Sequence, residues 1–170
     1  IPLCLVGSEM CIRDRFIIGL LMSLLAVAMG LPAIADLATG NPDWQVFAGS
    51  AAVSLFVGVS LMLTTRSTSM TNLNLRQAFL LTTMSWVAVA AVGALPFAFS
   101  ELEISVADAF FESMSGITTT GSTIIVGLDN APPGILLWRA LLQWLGGVGI
   151  IVMAMAMLPI LSVGGMQLFR

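Results

Sequence analysis

Four stretches of this chain run for about twenty residues or more without one charged side chain: 16–35, 44–65, 77–100 and 140–169. A helix rises about 1.5 Å per residue, so roughly 20 residues cross a hydrocarbon layer of about 30 Å. Each run is long enough to do so. Composition closes off the soluble alternative. The 170 residues are 58% hydrophobic and 9% charged, against about 25% charged in ordinary soluble domains. A chain of this length has no interior large enough to hide that much apolar surface. The expected class is an all-α, multi-pass membrane protein, with membrane lipid as its first partner. The net charge of −3 and the lack of a basic tract leave no footprint for nucleic acid. There is no histidine, and Cys4 and Cys11 are the two cysteines. Zinc, haem, thiol chemistry and a disulfide framework are therefore not expected.

Residues 1–15, IPLCLVGSEMCIRDR, stand apart. Their apolar part is too short to span a bilayer, and no small-residue cleavage site follows it. A short cytoplasmic leader is one reading. SEMCIRDR also resembles translated sequencing-adapter read-through, and 1–15 is expected to be a non-native or disordered leader.

The charges between the runs sort by side. Loop 36–43 holds Asp36 and Asp43, loop 66–76 holds Arg66 and Arg76, and loop 101–112 holds Glu101, Glu103, Asp108 and Glu112. Arginine marks the cytoplasmic side, so 66–76 and Arg170 are expected inside, and 36–43 and 101–139 outside. Three spans carry the chain out by residue 100 and one brings it back. The segment 104–128 must then dip in and return, or lie on the surface. Ser105 with Asp108 three residues on reads as a capping box. Phe110, Phe111 and Met114 supply apolar contacts, and Gly116 suits a helix C-terminus.

SGITTTGSTI, residues 115–124, follows that short helix. Three consecutive β-branched threonines favour extended backbone, and Gly121 permits a positive φ. Extended backbone at membrane depth must be buried in protein or line water. Successive carbonyls can then replace the water shell of a dehydrated cation. A plain extracellular loop is the equal alternative at this stage. A phosphate-cradling loop is set aside, because the chain has no lysine.

ADAFFESMSGITTTGSTI, followed by LLWRALLQWLGGVGIIVMAMAMLPIL, resembles the first pore repeat of the Trk/Ktr/HKT potassium-transporter superfamily, nearest its TrkH type. The shared features are F-E-S on a pore helix, T-T-T-G, and R-x-x-x-Q-W-L-G-G-x-G opening the next helix. The runs 16–35 and 44–65 are similar to that family's extra N-terminal hairpin. The resemblance implies a transmembrane hairpin with a cytoplasmic loop over 16–76 and one helix–pore loop–helix repeat over 77–170. Within the repeat it implies a helix at 77–100, a pore helix at about 105–115, a filter at 118–122 and a helix at about 134–162. The family builds a pseudo-tetramer from four such repeats, and this sequence holds one pore loop. The hairpin plus first repeat of a longer protein is therefore expected. The implied activity is potassium uptake across the inner membrane. The metal site would be the backbone carbonyls of Thr119, Thr120 and Gly121, flanked by Thr118 and Ser122. Potassium is cargo, and no reaction is catalysed. The resemblance also implies a homodimer of full-length chains and a cytosolic nucleotide-binding regulatory subunit. A homotetrameric small cation channel and a structural membrane subunit without an ion path are the rival readings.

Glu112 is expected to accept hydrogen bonds from backbone behind the filter, since a charge at that depth needs partners. Arg139 is expected to snorkel or to pair with an acidic residue, Glu112 among them. Gly146, Gly147, Gly149, Pro159 and Gly164–Gly165 weaken the last helix, for packing or for a bend. Trp44 and Trp138 read as interfacial aromatics.

Overall fold

The structure is a computed structural model, and it describes residues 8–64, 75–102, 104–128 and 131–157. Seven helices follow one another among these residues. They are α1 (Ser8–Ala28), α2 (Gly30–Thr39), α3 (Trp44–Leu63), α4 (Leu75–Gly93), α5 (Leu95–Phe99), α6 (Val106–Ile117) and α7 (Pro133–Met157). Four segments are long and apolar enough to cross a membrane: Asp14–Thr39, Trp44–Leu63, Phe79–Phe99 and Pro133–Met155. They overlap the four charge-free runs, and the first and last reach past them to take in Asp14, Arg15, Asp36 and Arg139; of the last run, 158–169 lies outside the described residues. The loop 66–76, apart from its last two residues, lies outside the described residues, as do Pro159 and Gly164–Gly165.

Several boundaries differ from the sequence expectation. Helix α1 begins at Ser8, inside the stretch set aside as a leader. The loop expected at 36–43 is shorter, because α2 runs on to Thr39 and Gly40 closes it at φ 74°. Asp36 is therefore a helical residue, and it is fully buried. The run 77–100 is two helices. Pro96 cannot donate to the carbonyl four residues back, and the chain turns at Ala94.

Helices α1 and α3 form the hairpin and cross where side chains are smallest. A Cβ on Gly19 would meet the Gly58 carbonyl at 2.7 Å, and one on Gly58 would meet Ser23 Oγ at 2.5 Å. Small residues bring two backbones together where no water is available to drive packing. The core of the molecule joins this hairpin to the rest. Phe47 of α3 meets Trp138 of α7 edge to face, with centroids 6.3 Å apart at 74°. Both rings are fully buried. Trp138 is thus not an interfacial anchor. Its indole Nε1–H donates to the Gly93 carbonyl at 3.0 Å, at the α4–α5 turn. Trp44 remains partly exposed at the start of α3.

Residues 41, 101–102, 125–127 and 131–133 line one shallow cavity of about 500 Å³. The acidic first loop and the segment after α6 therefore share one end of the bundle. The charge sorting expected that arrangement.

Candidate filter site

Helix α6 starts as its sequence dictates. Ser105 is the N-cap, and its Oγ accepts the Asp108 N–H at 3.2 Å. The reciprocal contact runs from Ser105 Oγ–H to Asp108 Oδ2 at 2.8 Å. Beyond this exposed start the helix is buried at Ala109, Glu112, Ser113 and Ser115–Ile117.

Glycines on the flanking helices let α6 in. A Cβ on Gly93 of α4 would lie 2.5 Å from Ser113 Oγ. Gly116 rests on Leu142, whose Cβ would be 3.1 Å from an added one. The closest approach is at Gly146 of α7, where the Ile117 carbonyl occupies the space a Cβ would need. Both Gly116 and Gly146 were legible as small residues, but the pairing was not.

The end of α6 departs from the expected extended run. Thr118 is the C-cap at φ −82°, ψ 3°. The Thr119 N–H donates to the Gly116 carbonyl at 2.9 Å, and the Thr120 N–H to the Ser115 carbonyl at 3.0 Å. This bond pair is a Schellman closure, and its left-handed position is Thr119, at φ 59°. Gly116, expected at the helix end, stays inside the last turn. Glycine normally fills the left-handed place. A β-branched residue there is strained, at a cost on the order of 1–3 kcal/mol. The extended stretch begins only at Thr120. Gly121 follows at φ 77°, as its lack of a Cβ allows.

The segment is tied down from behind. Ser115 Oγ–H donates to the Ser122 carbonyl at 2.6 Å. Thr118 Oγ1–H donates to the Met114 carbonyl at 2.7 Å and lies 2.9 Å from Thr120 Oγ1. Glu112 Oε2 accepts the Ile124 N–H and the Thr123 hydroxyl, each at 3.2 Å. Its Oε1 pairs with Arg139 Nε at 2.5 Å. Glu112 thus holds backbone, and Arg139 neutralises it at depth.

The five candidate residues Thr118, Thr119, Thr120, Gly121 and Ser122 fall on one exposed segment, a turn followed by irregular chain. Among the described residues, no hydrogen-bond donor reaches the carbonyl oxygens of Thr118, Thr119, Thr120 or Gly121. The Ser122 carbonyl differs, because Ser115 engages it. Ser115 was missed as a functional residue. Its place one turn before the helix end was the only signal available.

The fold and this segment define a class: a multi-pass helical membrane protein with a helix–loop–helix repeat whose loop is a short helix ending in unpaired carbonyls. A family model described as "TrkH: Cation transport protein" matches residues 43–170. The Trk system potassium uptake protein TrkH of Escherichia coli (strain K12) is 46% identical over 155 residues, which are 91% of this chain and 32% of that protein. The Trk system potassium uptake protein TrkI of Halomonas elongata is 40% identical over 154 residues, 91% of this chain and 31% of that one. The crystal structure of the potassium transporter TrkH from Vibrio parahaemolyticus superposes with a TM-score of 0.84 at 42% identity, covering 95% of this chain and 34% of that chain. The chain belongs to the TrkH family. It spans about a third of the length of the curated relatives it matches.

Proposed function

We propose that this chain carries the N-terminal hairpin, over 16–76, and the first pore repeat, over 77–170, of a potassium uptake protein of the inner membrane. Ions enter from the acidic end. They exchange water for the carbonyls of Thr119, Thr120 and Gly121, with Thr118 and Ser122 flanking, and leave to the cytoplasm. Potassium is cargo, and no bond is made or broken.

One observation carries this reading. Four consecutive carbonyls, from Thr118 to Gly121, have no donor among the described residues, on a segment pinned at Ser115, Glu112 and Met114. Exposed backbone oxygens at membrane depth must line water or meet another partner. A bare cation is the partner that oxygens alone satisfy. The relatives named as potassium uptake proteins support the choice of ion. A homodimer of full-length chains and a cytosolic nucleotide-binding regulatory subunit complete the proposal. They follow from the family resemblance.

The test is growth of a potassium-uptake-deficient bacterium at limiting potassium, using the full-length protein. Wild type should rescue growth. Gly121→Asp should abolish rescue at unchanged protein level, because it puts a side chain at φ 77° and beside Gln143 Nε2. Rescue that survives this change would sink the ion-path reading in favour of a structural subunit.

A further inference from the structure

Asp36 is a buried charge that neither the filter segment nor the Glu112–Arg139 pair uses. It lies in α2 with no exposed surface. Its Oδ1 accepts the backbone N–H of Gly134 at 2.6 Å. Gly134 is the second residue of α7, so that N–H has no acceptor within its own helix. The carboxylate also sits at the positive end of the helix dipole. The fit is close enough that a Cβ on Gly134 would fall inside the carboxylate. An aspartate of the hairpin therefore caps a helix of the pore repeat from outside.

That helix backs α6, the helix that holds the candidate filter. Arg139 pairs with Glu112, which grips Thr123 and Ile124. Leu142 and Gly146 receive the last turn of α6, at Gly116 and the Ile117 carbonyl. The contacts made by Arg139, Leu142 and Gly146 depend on where α7 sits along its own axis. Each residue of axial slip is about 1.5 Å.

We infer that Asp36 is a positioning residue for ion passage: by capping the first turn of α7 it sets the axial register of that helix, and through it the filter segment. The inference rests on the transport reading above. It gives the hairpin, which contributes no candidate filter residue, a definite part in selectivity.

The test measures rubidium uptake into liposomes holding the full-length protein, as apparent KM and potassium/sodium preference per folded molecule. Asp36→Ala should raise the apparent KM by on the order of tenfold and lower the preference, since sub-ångström placement governs such sites. Asp36→Asn keeps an oxygen for the Gly134 N–H and should stay within about twofold of wild type. Asp36→Glu pushes the carboxylate one methylene outward and should fall between them. It stands in for the alanine variant if that variant yields no folded protein. The inference is overturned if alanine and glutamate lower only the yield, leaving KM and preference per molecule unchanged. It is also overturned if asparagine is as impaired as alanine. An active wild type with indifferent Asp36 variants defeats this inference alone, whereas an inactive wild type defeats the transport reading with it.

Discussion

The molecule makes two glycine-lined close approaches, and they are built differently. In the hairpin, α1 and α3 meet at Gly19, Ser23 and Gly58, and both helices continue past the crossing. The Ser23 hydroxyl donates back to the Gly19 carbonyl at 2.8 Å, so the polar groups there are settled locally. In the pore repeat, α6 comes down on Gly146 and stops. Its carbonyl at Ile117 is set against backbone, and the next four carbonyls have no donor among the described residues. The first arrangement uses small residues to pack. The second uses them to end a helix where the carbonyls that follow have no donor among the described residues. At Gly58 the nearest obstacle to a larger residue is a side chain, Ser23 Oγ, with the Gly19 carbonyl behind it at 2.8 Å, whereas at Gly146 the nearest atoms are all main chain of Ile117, which makes the contrast testable.

The largest expected effect is in the pore repeat. Arg139→Met leaves the Glu112 carboxylate buried and unpaired, which should destabilise by about 3–5 kcal/mol. Thermal unfolding of purified protein in detergent reads this, and adding Glu112→Gln should return part of the loss. Gly19, Ser23 and Gly58 carry no charge, so no substitution at these three positions should match this effect. Next, Gly146→Ala should cost about 3 kcal/mol, at the upper end of overpacking, because the Ile117 carbonyl cannot rotate away. No neighbouring side-chain truncation should rescue it. Gly58→Ala should cost about 1–3 kcal/mol, and here Ser23→Ala should restore part of it, since Ser23 Oγ is the nearest obstacle and the Gly19 carbonyl stays at 2.8 Å. A rescue at Gly146, or none at Gly58, would erase the distinction.

A smaller effect has the opposite sign. Thr119→Gly relieves the left-handed strain at φ 59° and should stabilise by about 1 kcal/mol. If ion passage uses the strained geometry, the same variant should lose potassium/sodium preference while melting higher. The smallest effect lies at the acidic end. Burial raises the Asp43 carboxyl above its ordinary 3.8, partly opposed by the Glu101 backbone bond, with Asp36 adding to the rise. The folded state then holds its proton more tightly than the unfolded chain. This group's contribution to stability is therefore greatest below 3.8 and declines as pH rises through the elevated value. Asp43→Asn should flatten that decline in a pH series of melting temperatures.

What could be read from the sequence follows from range. The four spans, the placing of the first loop and Glu101 at one end of the bundle, and the Ser105 cap depend on neighbours along the chain, and the structure has them. Trp138 looked interfacial because it lies near a helix start. Its partners, Phe47 and Gly93, are 91 and 45 residues away and could not be inferred from spacing. Asp36 was assigned to a loop for the same reason, its acceptor role being 98 residues distant. Thr118–Thr119 failed differently. Their β-branching argued for extended backbone, but the carbonyls of Ser115 and Gly116 still needed donors at the end of α6. Closing that turn outweighed propensity. Glu112 was read correctly because a lone carboxylate in an apolar run has few tolerable environments.

The Ser115–Ser122 bond has a mechanical consequence. It fastens the far end of the carbonyl run to the helix from which the run departs, making a hoop of fixed circumference. Such a hoop cannot widen by sliding its ends apart. On the proposed ion path, accommodating ions of different radius would be left to the tilting of individual peptide planes, with Gly121 the link where that tilting meets the least resistance.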